Sequence, residues 1–600
     1  MRRLIAVIVV LGIAVIAMPA MVCSGAQGAT WYVDTAGSDA NPGTADAPFA
    51  TPQKGVDMAG AGDAVIVRAG LYRGRVVFPR SGEPDRPIVL QGEEGAILDG
   101  GHVITDWEPA PEIAAGVYRK RLSFPEWPGW NGTPVNLTWN NRLVLRISSA
   151  SMESGEGMAR LKEPAESETW QGVEALYGTS DGVTYLRFAD GRDPNQGVIT
   201  VAAHWEYDEG AVVVIKGQSH IVVRGFAIRN GSVGVTLNTG ASDNLVEDNA
   251  IVGGKYGVFI GYYPWAVPRD AGVEMLCHRN RIRGNEITLN FLSPITVPHP
   301  NMRWVWDQFK GFSDNDREGV ALFSAGHDNE VSGNHISEHW GGIQDWGARD
   351  DWAADYPVVL RNREFCRRLR VFGNVVHDIL DDGLEPSGGE VQAQWHDNLV
   401  YNCNTNIRLK FGEGGPCYIY CNRTHNPQPT PGGTCADLFH FRDNSDALVY
   451  VYQNSFASHQ GNKIGANIRE STATAVCTNS WYVNNIFSNH DFGTPPYGGL
   501  PLGVHAGYNL IASVLPCSAP GEHNVVLAER RLWPADPPAF ALLPDSPARG
   551  AGLDLSREWE LDGVRHPALP GMAPGYFAGP APDLGALQFG ESIGTTGLPE

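Results

Sequence analysis

Beyond its first residues the sequence has no long apolar run. Arg2 and Arg3 precede an apolar stretch from Leu4 to Ala17, too short to span a bilayer, and small residues follow, with Ser24-Gly25-Ala26 a candidate cleavage site. This is the pattern of a secretory signal peptide, here residues 1–26. The expectation is a protein that is secreted, periplasmic or on the cell surface, with no membrane span. Positive charge is also short: 45 Lys and Arg stand against 67 Asp and Glu, a net charge of −22. That balance argues against nucleic acid or an anionic membrane as partner. An anionic ligand would need a locally basic cleft or a bridging metal. Cysteine is scarce, nine residues in 600, with no zinc-type spacing. Export permits disulfides, and a bridge among Cys417, Cys421 and Cys435 across a Pro/Gly-rich loop is reasonable, though pairing cannot be read from sequence.

Glycine (71) and proline (41) are plentiful, which points to many turns rather than long helices. Six hundred residues exceed one compact core, so several domains or a repeat are expected. Thr51-Pro52 is a good helix start, predicting a short helix from Thr51 to about Ala59. Short β-rich runs follow at Ala64-Val67, Val76-Phe78 and Ile88-Leu90.

A repeat dominates the middle. Val246-Glu-Asp-Asn249-Ala-Ile251 recurs as Ile282-Arg-Gly-Asn285-Glu-Ile287, Val331-Ser-Gly-Asn334-His-Ile336 and Val371-Phe-Gly-Asn374-Val-Val376. Looser copies fall at Asn398, Asn422, Asn454 and Asn485, so the spacings are 36, 49, 40, 24, 24, 32 and 31 residues. A base unit near 24 with inserts fits one turn of a parallel β-helix, with Asn at a left-handed bend. A second run in each turn reads Gly234-Val-Thr236, Gly257-Val-Phe259, Gly319-Val-Ala321, Gly342-Ile-Gln344, Gly383-Leu-Glu385, Asn406-Ile-Arg408 and Leu438-Phe-His440. Strand alternation turns the middle apolar residue inward and the next one outward. The outward column is then Thr236, Phe259, Ala321, Gln344, Glu385, Arg408 and His440, chemically loaded from Gln344 onward.

The opening YVDTAGSDANPGT…PFATPQKGVD…GDAVIVRAGLYRGRVVF and the repeat resemble the right-handed parallel β-helix proteins that process polysaccharides, including family 9 pectate lyases and chondroitinase-type lyases. The resemblance implies an all-β fold: an N-terminal cap and first coils over 31–100, a β-helix over 206–535 and a C-terminal capping segment over 536–600. Residues 101–205 break the repeat with alternating runs and read as an inserted β-rich domain, similar to the insert of some β-helix glycosidases such as family 120 xylosidases.

The resemblance to family 9 lyases extends to a calcium motif, Asp-Asp-Gly-x-Asp, which Asp381-Asp382-Gly383-Leu384-Glu385 matches with Glu in the last place. It implies Ca²⁺ held by Asp381, Asp382 and Glu385, all hard oxygen ligands. The family's base lysine stands in a later Gly-x-Lys strand; here Arg408 takes that offset and Lys410 follows two residues on. The implied reaction is β-elimination at a uronic acid: Arg408 or Ca²⁺ draws charge from the C6 carboxylate and Lys410 removes the C5 proton, with Glu385 and Asp382 in the same centre. Gln344, Asp345 and Trp346 one turn earlier, and His440, Arg442 and Asp443 one turn later, are substrate-binding candidates. Aromatic residues in the loops 261–318 and 345–365 suit sugar rings. A glycoside hydrolase with paired carboxylates drawn from Asp345, Asp382, Glu385 and Glu413 competes with this reading. Asp381-Asp382 followed by Arg408-Leu409-Lys410 also echoes polygalacturonases, without their His-Gly. The xylosidase carboxylates would fall near Ser387 and Lys410, and that pair is missing. A non-catalytic glycan-binding surface protein is the remaining alternative. A monomer meeting a polysaccharide is expected.

Overall fold

The computed structural model describes residues 28–124, 132, 134–202, 210–262, 272–293, 317–346, 366–388, 390–411, 414–426, 436–440, 446–458, 478–488, 503–512, 521–527, 540–588 and 590. Residues 1–27, which include the segment expected to be a signal peptide, and Arg442, Asp443, Glu413 and most of the loop aromatics lie outside them.

The chain is a right-handed parallel β-helix. One long sheet stacks a short strand from each turn, starting Thr30–Val33, Ala64–Val67, Ile88–Gly92, Ile221–Arg224 and Leu245–Glu247 and ending at His505–Gly507. A second, larger sheet carries the rest of each turn. The register keeps like beside like: Val246, Ile282, Val331, Val371 and Trp395 are successive partners, as are Ile251, Ile287, Ile336, Val376 and Val400. These columns are wholly or almost wholly buried and form a single apolar spine. The helix Pro52–Met58, capped by Thr51, lies at the N-terminal end, with Pro52, Gly55 and Val56 buried.

The repeated asparagines form a continuous ladder through Asn249, Asn285, Asn334, Asn374, Asn398, Asn422, Asn454, Asn485, Asn509 and Asn524. In each step one side-chain Oδ1 accepts both the backbone N–H and the Nδ2 of the asparagine one turn before, as at Asn374 to Asn398 (3.1 and 3.0 Å). The Nδ2 also donates to a carbonyl of the preceding turn, for Asn398 that of Val371 at 3.0 Å. The left-handed position is not the asparagine itself, as expected from sequence, but the residue before it: Asp248, Gly284, Gly333, Gly373 and Asp397 have φ of 53°, 61–64° or 54°. The bend is made one residue early so that the asparagine side chain can turn into the stack.

Residues 102–202 leave and rejoin the helix between adjacent turns, because Ile88 pairs directly with Ile221. They form two small, mainly antiparallel sheets with the short helices Ser149–Glu153 and Glu156–Lys162. This unit packs against the β-helix. Leu143, Leu145, Phe291, Trp340 and Leu380 share one apolar cluster, and Arg317 Nη2 donates to Val135 O at 2.6 Å while its Nη1 donates to Gly254 O at 2.9 Å. At the other end, residues 540–588 lie over the last turns; Tyr452 donates to Pro570 O at 2.8 Å. Cys417 is an unbridged thiol buried in the core, where it donates to the Glu390 carbonyl and carboxyl, so it takes no part in the expected bridge; Cys435 lies outside the described residues.

Asn398→Ala removes an acceptor on which two buried donors of Asn374 rely, and each unsatisfied group costs about 1–3 kcal/mol. A loss of at least that size is expected in urea unfolding, whereas replacing an exposed residue of the same turn should leave the midpoint unchanged.

Candidate functional site

The charged rungs lie on the strands Gly341–Trp346, Val375–Glu385 and Leu399–Phe411. Phe259, Ala321, Gln344 and Glu385 are successive register partners, and Leu384 lies beside Ile407, which carries the same face on to Arg408. Leu409 is in the core, so Arg408 and Lys410 share the outer face.

The acidic and basic rungs grip each other. Arg408 Nε is 2.7 Å from Asp382 Oδ1, and its Nη2 is 3.4 Å from Asp381 Oδ1 and 3.3 Å from Thr405 Oγ1. Regular alternation would point Asp381 and Asp382 to opposite faces. The register slips between Ile379, which pairs with Cys403, and Asp382, which pairs with Thr405, so three residues oppose two. This bulge lets both carboxylates meet one guanidinium. Lys410, whose backbone pairs with Ser387, reaches back to form an ion pair with Glu385 Oε1, which also accepts Gln344 Nε2 at 2.7 Å. The Lys410 side chain keeps 25% of its surface exposed, against 11% for Arg408 and 2–5% for the three carboxylates. The ammonium is therefore the group of the five that most readily meets an incoming ligand.

The sequence-derived candidates divide accordingly. Asp381, Asp382, Glu385, Arg408, Lys410 and Gln344 come together. Asp345 does not: it follows Leu322 in an inward column, is wholly buried, and faces the core rather than a substrate. The parity of its strand, one residue after outward Gln344, already carried that signal. His440 is displaced by one position, because Leu438 pairs with Ile407 and Phe439 with Arg408, leaving His440 beside inward Leu409. Phe439 therefore takes the column position expected for His440. Trp346 pairs with Phe323 and packs edge-on against its ring at 5.2 Å, part of an aromatic patch with Tyr256 and Phe259. Arg442 is outside the described residues.

The three carboxylates expected to bind Ca²⁺ each contact a cationic side chain. Among the described residues no group of three or more His, Cys, Asp or Glu side chains is arranged to hold a metal ion. With Arg408 between two of them and Lys410 on the third, this donor set does not fit a calcium site.

No family model matches the chain. A stretch of 73 residues, 12% of the chain, is 40% identical to pectate lyase PEL9 of Emericella nidulans, and the match takes in 18% of that protein's length. Among solved structures the fold is similar to that of XylC, determined in complex with xylose, with a TM-score of 0.53 and 14% identity over 93% of this chain and 98% of that one. The crystal structure of pectate lyase Pel9A aligns with a TM-score of 0.42 and 11% identity over 94% and 98% of the two chains.

The burial pattern sets an order of stability effects. Arg408→Met strands two buried carboxylates and should cost about 3–5 kcal/mol. Lys410→Met, at the more exposed pair, should cost about 1 kcal/mol or less in the same denaturation experiment.

Proposed function

We propose that the chain is a carbohydrate-active enzyme that cleaves a uronic-acid-containing polysaccharide by β-elimination on the face bearing Arg408 and Lys410. The observation that carries this reading is the geometry of those two cations: two residues apart on one strand, on one face, each held by carboxylates of the preceding rung. A net charge of −22 makes such a locally basic rung the place where an acidic polymer can be received.

Arg408 offers a planar fork to the C6 carboxylate, which pulls charge from the sugar and makes the C5 proton acidic. Asp381 and Asp382 orient that fork. Lys410 is the base. A polymer lying over it removes water from the Lys410–Glu385 pair, and desolvation favours the neutral form in which Glu385 holds the proton. The freed Nζ lone pair takes the C5 proton, the C4–O bond breaks, a C4–C5 double bond forms, and the leaving oxygen takes the proton held by Glu385, which restores the Lys410–Glu385 ion pair. Gln344 keeps Glu385 in place through its amide. No step passes through calcium.

The test is ultraviolet absorbance of the unsaturated uronate on uronic polymers such as pectate, alginate and chondroitin. Cleavage with that absorbance, undiminished by a chelator and lowered about 10²–10⁴-fold in Lys410→Ala, is expected. Products that lack the double bond would move the assignment to glycoside hydrolysis by the same carboxylates. Glycan binding without any product, surviving Lys410→Ala and Glu385→Ala, would favour a non-catalytic protein.

A further inference from the structure

Beneath this face, inside the β-helix, are two acidic groups that the reaction does not use. Asp345 and Glu390 are both wholly buried. Asp345 Oδ1 accepts the Cys366 thiol at 2.7 Å. Glu390 Oε2 accepts the Trp395 indole N–H at 3.2 Å and the Cys417 thiol at 3.6 Å. Among the described residues the remaining oxygens, Asp345 Oδ2 and Glu390 Oε1, have no donor of their own, and the two carboxyl groups lie within hydrogen-bonding reach of each other. Two ionised carboxylates are acceptors only and would repel in a dry core; they bond when one of them carries a proton.

The pair sits directly under the proposed centre. The residue before Asp345 is Gln344, which holds Glu385, and the Asp345 carbonyl accepts the Ser387 hydroxyl. Ser387 in turn pairs with Lys410, whose backbone N–H donates to Pro386 O at 3.0 Å. The segment carrying Glu385 is thus stitched on one side to the strand of Asp345 and on the other to that of Lys410.

We infer that Asp345 and Glu390 share one proton and are positioning residues, locking the Gln344–Glu385–Lys410 face while the proton is held and loosening it when the proton is lost. The inference deepens the proposed function and rests on that face being the reaction centre. Among the described residues the titratable groups facing the pair are Cys366, Glu385 and Cys417. Burial, and then the charge of Glu385, raises the Asp345 carboxyl to about 7, against hydrogen bonds from Glu390 and Cys366 that lower it. Burial, and then the charge of Asp345, holds Glu390 well above the ordinary carboxylate range. Burial first also pushes both thiols up, so they remain S–H donors.

The sign follows from proton binding. Both carboxyls are raised on folding, so the folded chain holds more protons than the unfolded one. The contribution of Asp345 is complete below its ordinary value near 3.8 and is lost as pH rises through about 7.

Urea unfolding of the full chain across this range tests it, with Glu390→Gln as the variant, since an amide donates to Asp345 without a shared proton. The wild type should lose folded-to-unfolded ratio by up to about tenfold more per pH unit than the variant. Activity of the wild type should fall over the same range while that of Glu390→Gln stays flatter. Infrared spectra of the wild type need no variant: a protonated carboxyl band should persist above the ordinary carboxylate range and weaken as pH rises through about 7. Parallel pH slopes in the two proteins, or no such band, would overturn the inference. Neither the unfolding nor the infrared readout needs a substrate. A failure of the lyase reading therefore appears as missing cleavage with the pH slopes intact.

Discussion

The structure depends on one constraint: every turn must stack on the last in a single register. The asparagine ladder enforces it, since each Oδ1 takes two donors from the turn before and each Nδ2 returns one bond to a carbonyl there. A slip of one residue would break these bonds and turn every apolar column outward. Because the ladder holds the turns, whole loops and a complete inserted unit can leave between rungs without disturbing the spine, as the direct pairing of Ile88 with Ile221 shows.

The same register builds the proposed centre from strands far apart in sequence. It places Gln344, Glu385 and Arg408 along one face and sets Lys410 beside Ser387. One irregularity in this region is local: the bulge before Asp382 gathers two carboxylates onto one guanidinium. The preceding rungs carry an apolar and aromatic patch that includes Tyr256, Phe259, Ala321, Phe323 and Trp346. Charge is therefore concentrated on two adjacent rungs, where an anionic sugar would find a guanidinium and an ammonium side by side.

Much of this was legible in the sequence because period and parity are local properties. The Asn phrase gave the rung spacings, and the apolar residue in each Gly-x-x run gave the inward column. The failures have physical causes. His440 was placed one position late because the loop before it hides the register, which Leu438 and Ile407 fix instead. The sharing of Arg408 by Asp381 and Asp382 requires a bulge that strict alternation does not predict. Asp345 is a face candidate for its place beside Gln344, although its parity points inward, and the buried carboxyl group it meets, Glu390, is 45 residues away and signalled by no motif. The left-handed position was given to the asparagines when it belongs to the residue before them.

The central claim is that the Arg408–Lys410 face breaks a glycosidic link by elimination, with no water entering the product. Digestion of a uronic polymer in oxygen-18 water, read by mass spectrometry of the fragments, tests this directly. The account predicts fragments with an unsaturated end and no label; label at the new reducing end, on saturated fragments, would contradict it.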